Sequence, residues 1–177
     1  MHLRDNIETP RLRLRVPVLA DTPAIYEAYA RDPEVTRYME WRPHESLADT
    51  EEFLRAHTAR RPTGEELSWV LTLKGDARLI GMIALHPNGY RVGFGYVLGR
   101  AYWGRGLMTE AARTLVELTL AQPEVFRVWA VCDVENLASA RVLEKAGLTR
   151  EGVLRRWALH PNVSDEPRDS FCYAKVR

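Results

Sequence analysis

Three consecutive segments constrain the fold more than any other part of this chain. Residues 91–98 (Arg-Val-Gly-Phe-Gly-Tyr-Val-Leu) are rich in strand formers, and residues 127–132 (Arg-Val-Trp-Ala-Val-Cys) are again β-rich. Between them, residues 107–121 carry Leu107, Ala111, Leu115 and Leu118 on one helical stripe, with Glu110, Arg113 and Glu117 off it. Strand, helix and strand in that order predict a parallel pair joined by a right-handed crossover.

The flanking segments predict hairpins instead. Residues 68–74 and 78–85 bracket the turn Gly75-Asp76 and read as an antiparallel pair. Strict alternation over residues 10–16 puts Leu12, Leu14 and Val16 on a core face and leaves the arginines of that strand solvated. Asp21 or Thr22 caps a helix that stops before Asp32-Pro33. Ser46 and Asp49 form a capping box for a second helix, with Phe53 and Leu54 facing inward. Residues 149–159 and 169–176 read as two closing strands. The expected class is α+β: a mixed, mostly antiparallel central sheet of about seven strands flanked by helices. Gly93 and Gly95 weaken their strand and mark a bulge or a close approach.

Composition narrows the function. The 177 residues suit a single domain spanning 1–177, and 46% apolar content is enough for a real core. Lys and Arg total 25 against 24 Asp and Glu, so no global field invites nucleic acid or an anionic membrane. Two cysteines, Cys132 and Cys172, exclude a disulfide scaffold and are expected to be buried reduced thiols. The five histidines, His2, His44, His57, His86 and His160, show no metal-ligand spacing, so no metal is expected. No apolar run approaches the roughly 18 residues of a membrane span, and the first residues lack a secretory apolar core. The expected location is cytoplasmic.

Two segments carry chemistry. In Tyr102-Trp103-Gly104-Arg105-Gly106-Leu107-Met108-Thr109-Glu110 a glycine turn leads from a strand into the best helix. Glycines let the backbone approach a ligand, and the first helical N–H groups lack intrahelical partners, which suits a phosphate. Any strand-to-helix turn can also need glycine. No Gly-Lys-Ser/Thr follows, so this is not a Walker loop, and the third glycine of a dinucleotide fingerprint is absent. The second segment is Asn136-Leu137-Ala138-Ser139, continuing to Leu143-Glu144-Lys145-Ala146-Gly147. By itself it reads as a capped helix, with Asn136 as N-cap and Gly147 as the stop.

Taken together, Tyr-Trp-Gly-Arg-Gly-x-x-Thr-Glu-Ala and Asn-x-x-Ser-x-x-x-Leu-Glu-Lys-x-Gly resemble the Gcn5-related N-acetyltransferases. The branch with ribosomal-protein N-terminal acetyltransferases is the most similar, and the opening Glu8-Thr9-Pro10-Arg11-Leu12-Arg13 also resembles it. The resemblance implies the acyl-CoA N-acyltransferase fold, whose parallel pair splays, and acetyl-CoA as co-substrate. It implies that the pantetheine arm lies along Tyr96, Val97 and Leu98. The pyrophosphate is expected on the amides of Gly104, Arg105, Gly106, Leu107, Met108 and Thr109. Asn136 is expected to reach the pantetheine and Ser139 the thioester. The loop bearing Glu40 and Trp41 would border a primary-amine acceptor, either a peptide N-terminus or a small molecule.

Two departures bear on mechanism. Many relatives carry a tyrosine acid where this chain has Leu143, which leaves Ser139 and Tyr96 as the catalytic candidates. Many in the branch carry a carboxylate where this chain has Gly93, so the usual base is missing. Direct transfer in a ternary complex needs a neutral amine. An α-amine, with an ordinary pKa of about 7.7–8.0, loses its proton more readily than a lysine near 10.4. His86, before Pro87-Asn88-Gly89, reads as a turn-edge histidine in preference to a base, and Glu135 as a neighbour of the Asn136 cap. Two alternatives stand beside this reading. One is an acyl-CoA-binding regulatory domain without transfer activity; the other is a nucleic-acid binder using Arg100, Arg105 and Arg113. Either a monomer or a homodimer fits the sequence.

Overall fold

The computed structural model describes residues 3–177, so His2 lies outside the described residues. Eight strands form one sheet: β1 (Asn6–Glu8), β2 (Leu12–Arg15), β3 (Leu67–Leu73), β4 (Leu79–Asn88), β5 (Arg91–Leu98), β6 (Arg127–Asp133), β7 (Thr149–Ala158) and β8 (Arg168–Val176). Their order is β1-β2-β3-β4-β5-β6-β8-β7, and every pairing is antiparallel except β5 with β6. The strand beyond the expected seven is β1, a three-residue piece folded back on β2 by a turn in which the Thr9 N–H donates to Leu12 O at 3.0 Å.

Five α-helices pack on the sheet: α1 (Thr22–Ile25), α2 (Pro33–Thr36), α3 (Leu47–Arg60), α4 (Leu107–Leu120) and α5 (Leu137–Lys145). The α4/α5 face buries the larger cluster, including Leu12, Leu14, Trp69, Leu115 and Leu143; the α1–α3 face buries Ile25, Tyr29, Leu54, Met82 and Val97. Covered on both sides, β3 and most of β4 are buried continuously rather than at alternate positions.

Several expectations need correcting. The first helix ends before Asp32-Pro33 as expected, but its second half, Tyr26–Ala30, is π-helical, and Asp32 then caps the separate α2. Asp21 caps nothing. It is buried and accepts two hydrogen bonds from Arg15, at 2.5 and 2.8 Å, so that arginine is not simply solvated. Leu118 is exposed, because the buried stripe of α4 runs through Met108, Ala112, Val116 and Thr119 beside Leu107, Ala111 and Leu115. Gly93 and Gly95 cause no bulge, since the β4–β5 register runs unbroken from Gly81↔Leu98 to Asn88↔Arg91. Gly93 is instead a close approach: a Cβ there would meet the Trp129 ring at 3.3 Å. His86 is not at a turn, because β4 continues to Asn88 and pairs His86 with Gly93. Among the described residues, no helix is long and apolar enough to cross a membrane.

Candidate active site

The parallel pair is short. β5 and β6 pair only at Arg91↔Arg127, Val92↔Val128 and Gly93↔Trp129, although both strands continue. Beyond Gly93 they diverge, and a gap opens along the rest of β5. Gly99 donates to Ile80 O at 2.8 Å, and hydrogen-bonded pairs alternate along an antiparallel ladder. Val97 therefore spends its backbone groups on Met82 of β4, whereas Tyr96 and Leu98 turn theirs into the gap. The Leu98 carbonyl is already engaged by Trp103 Nε1 at 2.6 Å, which leaves the Leu98 N–H.

At the end of the gap the chain passes through Gly104 and Gly106, both left-handed with φ of 72° and 71°, and enters α4 with Gly106 as N-cap. Among the described residues, the amides of Gly104, Arg105, Gly106, Leu107, Met108 and Thr109 donate to nothing in the protein. Six such donors at the positive end of a 14-residue helix form a nest for an anion. The Arg105 guanidinium stacks over Tyr102, 5.6 Å from the ring centre. The loop is braced from outside. Glu110 accepts from Thr9 Oγ1 at 2.5 Å, from the Arg11 N–H at 2.8 Å and from Arg11 Nε at 2.6 Å, and Arg11 Nη1 donates to Arg105 O at 2.9 Å.

The other wall of the gap is α5. The Asn136 side chain accepts from the Ser139 N–H at 3.1 Å and fixes the first turn. Ser139 Oγ lies 2.7 Å from the Tyr96 hydroxyl, which also donates to Ser139 O at 3.2 Å. Burial pushes the Tyr96 phenol far above its ordinary value, so it stays protonated. Cys132 lies against the same pair; burial raises its thiol to about 11 despite a hydrogen bond with Ser139. It is a poor nucleophile at neutral pH.

On the α1–α3 face the gap opens into a cavity of about 640 Å³. Gly93 and Gly95 form part of its floor, Tyr96, Cys132 and Ser139 border it, and Glu40 and Trp41 lie in its wall. The Trp41 ring packs on His44 and Phe53, at 4.9 and 5.7 Å between centres. The loop is held in place by Asn162 Nδ2, which donates to Thr36 O and Trp41 O at 2.7 and 2.8 Å.

Residues 11–149 match the acetyltransferase (GNAT) domain family. The chain belongs to that family. This GNAT enzyme is an acetyltransferase, and its relatives span its length. The uncharacterised N-acetyltransferase YoaA of Bacillus subtilis is 29% identical over 97% of this chain and 96% of its own. A GNAT acetyltransferase structure from Bacillus anthracis is 27% identical, with a TM-score of 0.84 and coverage of 97% and 98%. The ribosomal L7/L12 α-N-protein acetyltransferase RimL, solved with coenzyme A, shares the fold at a TM-score of 0.85 and 18% identity, covering 97% of each chain.

The GNAT site thus brings together the residues singled out from sequence: Tyr96, Leu98, Gly104, Arg105, Gly106, Leu107, Met108, Thr109, Asn136 and Ser139 around the gap, Glu40 and Trp41 at the cavity. Val97 also lines the cavity, although its backbone faces β4 and its side chain joins the smaller core. Sequence reasoning missed two buried carboxylates in the cavity. Glu66 is 1% exposed; desolvation is outweighed by a short bond from His57 Nδ1 and by His86 and Arg60, so its carboxyl titrates below the ordinary range. Asp133 is fully covered; desolvation is outweighed by Arg168, which donates Nε at 2.6 Å and Nη2 at 3.2 Å, and it too titrates low. Arg168 also reaches Glu135 at 2.9 Å, so Glu135 does more than sit beside the cap. Neither buried acid falls in a motif; only the strand register places them. Among the described residues, no cluster suits a metal ion.

Proposed function

We propose that this enzyme transfers the acetyl group of acetyl-CoA directly to a primary amine in a ternary complex. The observation that carries the reading is the β5–β6 gap, with six unpaired amides at one end and the Tyr96–Ser139 pair beside it. The nest receives the pyrophosphate, and the pantetheine amide groups pair with the gap-facing backbone of Tyr96. The Leu98 N–H stabilises the oxyanion that develops on the acetyl carbonyl. With its proton turned from Ser139 O to Ser139 Oγ, the Tyr96 hydroxyl frees the Ser139 proton for the leaving thiolate. Cys132 stays protonated, which disfavours an acyl-cysteine route.

The acceptor is a peptide N-terminal α-amine or a small-molecule amine. With glycine at 93, an amine that already sheds its proton near neutral pH suits the site best. RimL, an α-N-protein acetyltransferase of the same fold, acts on such a group.

The test is CoA release from acetyl-CoA with a panel of N-terminal peptides, polyamines, amino acids and aminoglycosides, with mass spectrometry of the products. An acetylated amine supports the reading. Tight CoA binding with no turnover on the whole panel would contradict it.

A further inference from the structure

The sheet register draws a row of side chains across the cavity floor. Gly93 of β5 lies beside Trp129 of β6 and opposite His86 of β4. Leu67 of β3 pairs with Leu85, so the preceding residue, Glu66, falls next to His86. Glu66, His86, Gly93 and Trp129 all line the same cavity. Three of the four positions have a structural reason. Trp129 packs over the floor, and Gly93 is a glycine because a Cβ there would press on the Trp129 ring at 3.3 Å. Glu66 closes the β3 end with His57 and Arg60. His86 has none: it is half-exposed to the cavity, and no hydrogen bond holds it. Among the described residues its ion-pair contact within 4 Å is with Glu66, Nδ1 lying 3.9 Å from Oε2. A carboxylate on the Nδ1 side leaves Nε2 as the basic nitrogen facing away from it.

We propose that His86 takes the proton of the acceptor amine during acetyl transfer, from the strand opposite Gly93. This rests on the transferase reading above. The amine lone pair forms the new C–N bond, and the C–S bond breaks with its electron pair left on sulfur. The amine proton passes to His86 Nε2, directly or through one water, and on to solvent; Ser139 protonates the thiolate and regains its proton from solvent through Tyr96. Glu66 is a positioning residue that biases the tautomer. The charged groups facing His86 come from three elements: Glu66 before β3, His57 and Arg60 on α3, and Glu40 in the loop after α2. Burial, with the His57 and Arg60 charges, outweighs the two carboxylates and holds the His86 pKa below its ordinary 6.5. The ring is therefore neutral and able to accept a proton at pH 7.

The test is the pH profile of kcat/KM for wild type, His86→Gln and His160→Gln, together with imidazole rescue of His86→Ala. The wild type should show an acid limb below pH 6.5, separate from any limb set by the amine itself. His86→Gln should lose that limb and about 10²–10⁴-fold in kcat. Added imidazole should restore a large part of the activity to His86→Ala, which a merely structural role would not allow. An unchanged profile in His86→Gln, or loss of the limb in His160→Gln instead, overturns the assignment while leaving the transferase intact. A wild-type protein that acetylates no amine contradicts the transferase reading, and the base falls with it.

Discussion

The Tyr96 hydroxyl and Ser139 Oγ, 43 positions apart in the chain, lie 2.7 Å from each other where β5 parts from β6. Their contact joins the strand that would hold the pantetheine to the helix that would face the thioester. If the two pass one proton to sulfur, they act as a unit. Ser139→Ala and Tyr96→Phe should each lower kcat by about 10²-fold, the low end for a general acid. The double variant should be no more than about threefold worse than the weaker single, because members of one network are not additive. Steady-state rates of the three variants check this; fully multiplicative losses would separate the two roles.

Glu110 should matter for the donor, not for the chemistry. It holds Arg11, and Arg11 holds the Arg105 carbonyl inside the amide nest. Glu110→Ala should raise the KM for acetyl-CoA by about tenfold, roughly 1.4 kcal/mol, with kcat nearly unchanged. The acceptor KM should stay as it was. A fall in kcat with an unchanged donor KM would show that the brace acts elsewhere.

Asp133 should anchor stability. Its fully covered carboxylate is paired with Arg168, which is one-fifth exposed. Asp133→Asn should cost about 3 kcal/mol in urea unfolding, the low end for breaking a buried pair. The folded pKa is depressed below the ordinary 3.8, so the stabilisation is complete above that value and lost as pH falls through the lower folded one. Wild type and variant should therefore differ by a constant amount near neutral pH and converge below pH 3.8.

The cysteines should behave differently from each other. Cys132 pairs with Phe171 and Cys172 with Val131, so the two side chains point to opposite faces of neighbouring strands. The expectation that both are buried holds for Cys132 only, since Cys172 is half-buried. Iodoacetamide at neutral pH should modify Cys172 first, and acetyl-CoA should further slow the reaction of Cys132, which borders the cavity. A mild oxidant should form no bond between them.

Much of this was legible because local rules and global fold agree. The α4 and α5 helices, the parallel crossover and the Gly147 stop, with φ of 93°, follow from periodicity and capping residues. The nest was legible because glycine spacing and a helix start are local features. Glu66 and Asp133 were not, because a buried carboxylate looks like any surface acid until strand register brings a histidine or arginine to it. His86 reads in sequence as a turn-edge residue ahead of a base because Pro87 suggests a turn, yet β4 tolerates it. The backbone of Pro87 faces past the end of β3, where no N–H is required. That the Val97 backbone turns to β4 is set by ladder parity, which no spacing reveals.

Direct transfer from acetyl-CoA to an amine is most directly tested by initial velocities with both substrates varied, alongside the intact mass of the protein after incubation with acetyl-CoA alone. The gap architecture and the protonated Cys132 predict intersecting lines and an unmodified protein. Parallel lines with one acetyl group added to the chain would contradict it.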